Sequence, residues 1–222
     1  MRGCCNGSQA RLRCVCRKAW RFESSPAHNM EIEIEAKFLD IDPAAMRAKL
    51  KALGAALVYP EVLMKRKVFD HPTNKQSDWL RVRDEGDKIT MSYKKVVDWT
   101  VHGTKEISIE VSDFDDACAI LAAAQLTPKA YQETRREKWM LDDAEVTIDT
   151  WPWIPTFVEI EAPSEEKLKA AAEKLGLQWG DALFGSVEPA YQKYYDVTEK
   201  EIDSWSEIVF GPVPDWLLKR KR

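Results

Sequence analysis

Several common functional signals are absent from this 222-residue sequence. No apolar run approaches the ~20 residues that span a bilayer, so we expect no membrane-spanning segment. There is no GxxxxGK[ST] phosphate-binding loop. The three histidines, His28, His71 and His102, are widely separated and fit neither a zinc site nor a Ser–His nucleophile. These absences disfavour a membrane protein, a P-loop nucleotide site and hydrolysis that depends on histidine.

Basic residues and cysteines are concentrated at the N-terminus. Residues 1–29 hold six basic residues, one acid and four of the five cysteines, with almost no hydrophobic periodicity. We predict that they form a basic, Cys-rich, disordered extension. The formal net charge of −4 disfavours general nucleic-acid binding. The remaining chain has a single cysteine, Cys118, and no export signal, which favours a reducing, cytoplasmic location.

The segment Glu31–Phe38 alternates with a period of two, which predicts a β-strand with two different faces. Its apolar face is Ile32, Ile34, Ala36 and Phe38, and its charged face is Glu31, Glu33, Glu35 and Lys37. Like charges in a row repel unless they lie in water, beside cations or around a metal. Taken alone, the segment favours an edge strand whose charged face is solvated, and only the rest of the chain argues against that reading.

About eight segments share this pattern of one apolar and one charged face, and three amphipathic helices accompany them. Closing the sheet with the helices outside would bring both signs of charge together in a narrow interior. We therefore predict an α+β fold with a closed sheet. The acids expected inside are Glu33, Glu35, Asp149, Glu159 and Glu161, with Glu106 and Glu110 left open. The bases expected inside are Lys37, Arg81, Arg83, Lys94 and Arg136. Trp79, Tyr93, Trp139 and Phe157 are expected in the core.

Such an interior is easier to explain by a ligand than by stability. Burying an ion costs several kcal/mol unless it is paired, and apolar filling is often as stable or more so. Arginine and lysine side chains suit a polyanion such as a chain of phosphates. Carboxylates suit a hard divalent cation, Mg²⁺ or Mn²⁺.

These residues resemble the CYTH, or triphosphate tunnel metalloenzyme, superfamily. The ExExK signature is matched by Glu33-Ile34-Glu35-Ala36-Lys37, and further matches follow in order. They are Leu80-Arg81-Val82-Arg83, Ser92-Tyr93-Lys94, Asp149 and Phe157-Val158-Glu159-Ile160-Glu161. The resemblance implies a closed eight-stranded antiparallel β-barrel, or tunnel, with helices packed outside. It also implies a metal-dependent enzyme that acts on a small-molecule triphosphate.

The resemblance assigns roles to the matching residues. It implies catalytic roles for Glu33, Glu35 and Lys37. It implies triphosphate binding by Lys37, Arg81, Arg83, Lys94 and Arg136. It implies that Mg²⁺ or Mn²⁺ is bound by Glu33, Glu35, Asp149, Glu159 and Glu161. Of these, Asp149 either binds the metal or orients it.

Three activities remain open at this point. Hydrolysis of tripolyphosphate, thiamine triphosphate or a nucleoside triphosphate is the first. Cyclisation of ATP to cyclic AMP and pyrophosphate, as in class IV adenylyl cyclases, is the second. A phosphate-binding module without turnover is the third. Neither a nucleic acid nor a membrane is an expected partner, and a homodimer stays an open alternative.

Three positions depart from the family pattern. Relatives often carry an acid and a tyrosine where this chain has Arg66 and Val68, and a base where it has Thr134. The facing of Lys65, Arg66 and Lys67 is therefore left open. We predict that the tunnel domain spans residues 30–197 and that residues 198–222 form a C-terminal helical tail.

Overall fold

The computed structural model describes residues 30–70 and 78–222, so the prediction for residues 1–29 lies outside the described residues. The strands in this part of the chain are β1 (Glu31–Glu33), β2 (Glu35–Phe38), β3 (Ala56–Asp70), β4 (Asp78–Asp84), β5 (Ile89–Val96), β6 (Thr104–Val111), β7 (Thr127–Leu141), β8 (Ala144–Thr150), β9 (Phe157–Glu161) and β10 (Glu207–Ile208). The helices are α1 (Pro43–Ala52), α2 (Phe114–Ala123), α3 (Glu165–Lys174), α4 (Glu188–Tyr194), α5 (Glu199–Asp203) and α6 (Asp215–Leu218), with a 3₁₀ turn at Trp179–Asp181.

The sheet closes through its first strand, which is interrupted at Ile34. Before the interruption, β1 pairs with β6; after it, β2 pairs with β9. The intervening order is β6-β5-β4-β3-β7-β8-β9. With β1 and β2 counted as one interrupted strand, eight antiparallel strands form a nearly closed barrel. The short strand β10 pairs in parallel with β7. The predicted barrel is confirmed.

The apolar faces of the strands point outward, where helices cover them. Helices α1 and α3 contribute Leu50 and Leu168 to a cluster with Ala36, Val146 and Ile160 of the sheet. Helix α2 packs Leu121 and Cys118 against Val82 of β4. A charged interior is compatible with a stable fold because this apolar burial lies between the sheet and the helices.

Helix boundaries follow capping signals in the sequence. The Asp42 carboxylate accepts hydrogen bonds from the backbone N–H groups of Ala44 and Ala45, directly before Pro43 opens α1. The Ser164 hydroxyl accepts one from the N–H of Lys167 at the start of α3. After α3, Gly176 has φ +69°, a left-handed conformation that glycine adopts without steric cost.

Some predicted apolar faces are wrong. Ile32 is half exposed on β1. The helical spacing of Met46, Leu50, Leu53 and Leu57 predicts one stripe, but α1 ends at Ala52 and both Leu53 and Leu57 are exposed. Helical spacing predicts that Ala117, Ile120, Leu121 and Ala124 form the buried stripe of α2. The buried residues are Ala117, Cys118 and Leu121, whereas Ile120 is exposed. The α2 error is a rotation about the helix axis, since Ala117 and Ile120 are three positions apart and only one of them reaches the sheet.

The C-terminal segment packs on one end of the barrel. Ile202 of α5, Ile208 of β10 and Leu217 of α6 are buried in one cluster with Trp151 and Phe157. Residues 198–222 thus include a strand as well as helices. None of the helices in the described ranges combines the length and apolar character needed to cross a membrane.

Candidate active site

A cavity of about 750 Å³ runs inside the barrel. Nine of the ten predicted site residues line it, and they are Glu33, Glu35, Lys37, Arg81, Arg83, Lys94, Arg136, Glu159 and Glu161. The tenth, Asp149, is almost fully buried behind Arg136. Period-two alternation explains this convergence, since every second side chain of each strand points inward.

Lys37 sits between two carboxylates near the β2–β9 pair. Its Nζ lies 3.0 Å from Glu35 Oε1 and 2.9 Å from Glu159 Oε2. It also donates a hydrogen bond to the Gly185 carbonyl oxygen at 2.6 Å. Burial opposes the ammonium charge, but Glu159 and Glu35 outweigh it and raise the pKa of Lys37. Lys37 is therefore a fixed positive charge.

Lys94 organises a second pair of acids. Its Nζ donates to both carboxylate oxygens of Glu33 at 2.9 Å and lies 2.9 Å from Glu106 Oε2. Arg81 Nη2 approaches the other oxygen of Glu106 at 3.4 Å. Burial raises the pKa of Glu33 despite Lys94, and Glu106 and Glu35 add to that rise. Lys94 thus holds Glu33 and Glu106 together at the cavity wall.

Arg136 is anchored from behind by Asp149. The Nε and Nη2 of Arg136 donate to the two oxygens of Asp149 at 2.6 and 2.8 Å, and Nη2 also donates to Glu159 Oε1 at 3.0 Å. The Thr147 hydroxyl donates to the same Asp149 carboxylate. Both oxygens of Asp149 are therefore occupied, and in this arrangement it orients Arg136.

The strands β3 and β4 present arginines to the cavity. Arg83 is held by Glu85, whose Oε1 accepts from its Nη2 at 2.6 Å. Arg66 also faces inward. The sequence left the direction of this side chain open, and in the structure Lys65 is exposed whereas Arg66 is buried. Burial and the nearby guanidinium of Arg83 lower the pKa of Arg81 to about 10.

Three carboxylates lie side by side on β2, β9 and β8. Glu161 is the cross-strand partner of both Glu35 and Glu145. Burial and these two neighbours raise the pKa of Glu161 to about 7. Glu35 and Glu145 each contact a lysine, Lys37 and Lys138, whereas no ion pair of Glu161 is found among the described residues.

Oxygen donors gathered this way fit a hard divalent cation, which would relieve their mutual repulsion. In the described ranges, no three acidic, histidine or cysteine side chains already enclose a metal-sized space. Lysines and Arg136 instead contact the oxygens of Glu33, Glu35 and Glu159 in the ligand-free protein.

The structure adds cavity residues that were not among the predicted site residues. Glu145 lies on the same alternating face as Asp149, so the period-two pattern was sufficient to find it. Trp79 was expected in the core but lines the cavity, on the face that carries Arg81. Glu106 is inside, whereas Glu110, near the end of β6, is exposed. Glu85 follows β4 in a hairpin, where no strand pattern marks its direction.

Comparison with known proteins agrees with this architecture. The PH1012 protein of Pyrococcus horikoshii OT3 is 21% identical, with a TM-score of 0.62, over 72% of this chain and 99% of that one. A conserved hypothetical protein of Pyrococcus furiosus is 22% identical, with a TM-score of 0.61, over 71% and 99%. A Vibrio parahaemolyticus protein described as a candidate adenylate cyclase is 15% identical, with a TM-score of 0.63, over 73% and 99%.

At these identities the likeness concerns the fold alone. A search of curated proteins finds no match. The profile of the CYTH domain, however, matches residues 31–199, which is most of the chain and includes every inward-facing residue predicted above. The chain belongs to the CYTH domain family.

Proposed function

We propose that this protein hydrolyses a triphosphate inside the barrel with the help of Mg²⁺ or Mn²⁺. The observation that carries the proposal is that the charges of the cavity do not cancel locally. Glu161 has two carboxylate neighbours and no ion pair among the described residues, while Arg66 has three arginine neighbours and no ion pair there. A cation bound beside Glu161 and a polyanion bound beside Arg66 would neutralise both of these unpaired charges.

The phosphate chain is assigned to the basic side chains. Arg81, Arg83 and Arg136 offer planar guanidinium groups that can donate two hydrogen bonds to one phosphoryl group, and Lys37 and Lys94 add point charges. Because Glu85, Glu106 and Asp149 hold the arginines in place, little reorganisation is needed when the substrate enters.

The metal is assigned to the acidic side chains. Glu35, Glu159 and Glu161 lie on the adjacent strands β2 and β9, and Glu33 lies just across the interruption at Ile34. A bound divalent ion supplies charge neutralisation and activates water. Lys37 and Lys94 keep these carboxylates oriented and can also contact phosphate oxygens. Catalysis would come from positioning and charge stabilisation in an enclosed space.

The test uses the purified full-length chain with tripolyphosphate, thiamine triphosphate or ATP, each with Mg²⁺, with Mn²⁺ and with EDTA. Release of orthophosphate that requires the metal supports the proposal. Cyclic AMP and pyrophosphate formed from ATP would replace hydrolysis by cyclisation. Tight binding of tripolyphosphate without any product would reduce the protein to a binding module.

A further inference from the structure

Arg66 differs from every other basic side chain that lines the cavity. Each of the others makes an ion pair with a carboxylate, and they are Lys37, Arg81, Arg83, Lys88, Lys94, Lys129, Arg136 and Lys138. Arg66 makes none with any residue that the structure describes, although only 7% of its surface is exposed. A buried guanidinium without a counter-ion is costly.

The surroundings increase this cost. Burial and the guanidinium groups of Arg81, Arg83 and Arg136 lower the pKa of Arg66, and Asp149 offsets them only in part. Arg66 and Arg83 are direct cross-strand partners, so two like charges face each other in the cavity wall. For stability alone, an uncharged side chain would serve better at this position.

The protein nevertheless holds Arg66 in a defined orientation. Its Nη2 donates a hydrogen bond to the Thr134 hydroxyl at 2.7 Å, and its guanidinium lies 4.7 Å from the centre of the Trp151 ring. Its Nε is buried and has no hydrogen-bond partner in the described part of the chain. Arg81 Nε is also buried and has no hydrogen-bond partner among the described residues. Two buried arginines therefore have unused donors at the same cavity.

An anion is the ligand that such a pair fits, since buried N–H donors and excess positive charge are both satisfied by phosphate oxygens. We propose that Arg66, together with Arg81, forms a phosphate subsite that binds one phosphoryl group of the substrate through nitrogen donors, separate from the carboxylates that hold the metal. This inference rests on the proposed function, because it assumes a polyphosphate ligand. It also gives Thr134 and Trp151 a role, which is to hold the Arg66 side chain in position.

The test measures binding in the absence of metal. Tripolyphosphate is titrated calorimetrically into the full-length protein in EDTA, for wild type, Arg66→Met and the control Lys65→Met. Lys65 is the adjacent residue of the same strand and is exposed, so the control removes the same charge outside the cavity. We expect Arg66→Met to bind roughly tenfold more weakly or worse, as loss of hydrogen bonds to a charged group implies, and Lys65→Met to bind as wild type does.

A second measurement separates ligand binding from a structural role. The double variant Arg66→Met/Thr134→Val also removes the hydroxyl that would lose its partner, and without ligand it should melt at or above the wild-type temperature. A lower melting temperature together with unchanged tripolyphosphate affinity would show that Arg66 is structural and overturn the subsite. Equal affinities of Arg66→Met and wild type, or no binding by wild type, would also overturn it.

The outcome is distinct from that of the proposed function. If wild type binds tripolyphosphate more tightly than Arg66→Met but releases no orthophosphate with any metal, hydrolysis is wrong and the subsite stands. If wild type releases orthophosphate and Arg66→Met binds equally well, hydrolysis stands and the subsite is wrong.

Discussion

Two sides of the cavity differ in how completely their charges are neutralised. The acidic wall, formed by β2, β8 and β9, carries Glu35, Glu145, Glu159 and Glu161, with Asp149 buried behind it. Lysines or arginines contact all of these except Glu161. The basic wall, formed by β3 and β4, carries Arg66, Arg81 and Arg83, and carboxylates contact all of these except Arg66.

Each wall therefore keeps one charge that the protein itself does not balance. Paired charges are arranged before a ligand arrives, whereas an unpaired one costs free energy until a ligand balances it. Paired and unpaired residues of the same type should therefore respond differently to substitution. Removing a paired charge should lower activity or stability, whereas removing an unpaired one should stabilise the ligand-free state.

The largest effect is expected for Glu33→Gln. The substitution keeps the size of the side chain and removes the carboxylate charge beside Lys94 that the proposed metal site needs. We expect turnover to fall on the order of 100-fold to 1,000-fold while the fold survives. The measurement is kcat/KM for the best triphosphate, with circular dichroism to check folding. Glu110→Gln, on the exposed end of β6, is the matched control. Wild-type activity in Glu33→Gln would remove Glu33 from the metal site.

Asp149→Asn is expected to show the next largest effect, on stability. Asp149 is buried and neutralises Arg136 through two short hydrogen bonds, so the variant leaves a buried guanidinium without its main counter-ion. Breaking a buried pair from one side costs about 3 kcal/mol or more, and urea denaturation measures the loss. Asp143→Asn, on the exposed β7–β8 turn, should change little. A loss below about 0.5 kcal/mol, the usual range for surface substitutions, would show that Asp149 is not needed as an anchor.

Arg81→Lys should have an intermediate effect on the basic wall. The ammonium keeps the charge but loses the planar group that can donate two parallel hydrogen bonds. We expect KM to rise roughly 10-fold to 100-fold, with a smaller change in kcat. Steady-state kinetics provide the measurement, and Arg135→Lys, exposed on β7, is the control. An unchanged KM would indicate that Arg81 serves only to hold Glu106.

Alternation of side chains was enough to predict most of this architecture. Strands such as β4 and β9 have an unambiguous period of two, so the inward direction of Arg81, Arg83 and Glu159 followed from the sequence. The same period placed apolar residues outward, which required helices there. The barrel was predictable because closure is the arrangement that brings both sets of charges together.

The pairing of charges could not be predicted, because it depends on register between strands. Glu145 meets Glu161 only through the β8–β9 register, and Arg66 meets Thr134 across β3 and β7. In β3 both faces carry charge at Lys65, Arg66 and Lys67, so alternation did not show which side is inside. Trp79 was misassigned because an aromatic residue at a cavity wall has the same sequence pattern as one in the core.

Glu161→Gln should give the smallest effect and the opposite sign to Asp149→Asn. Burial and neighbouring carboxylates raise the pKa of Glu161 to about 7 in the ligand-free protein, above its ordinary value of 4.5. Between these two values the native state keeps a proton that the unfolded chain has lost, so wild-type stability falls as pH rises through that window. The glutamine avoids this loss because it carries no charge at any pH.

In metal-free buffer, the melting temperature of Glu161→Gln should therefore match wild type near the lower end of the window and exceed it above the upper end. A gain of about 3 °C is expected, the shift that roughly 1 kcal/mol produces in a domain of this size. Glu173→Gln, exposed on α3, should show no such pH dependence. Added Mg²⁺ should narrow the gain, because a cation at the acidic wall removes the repulsion that the substitution relieves. A gain that is equal at low and high pH would mean that Glu161 is already balanced within the protein, and the two walls would then no longer be equivalent.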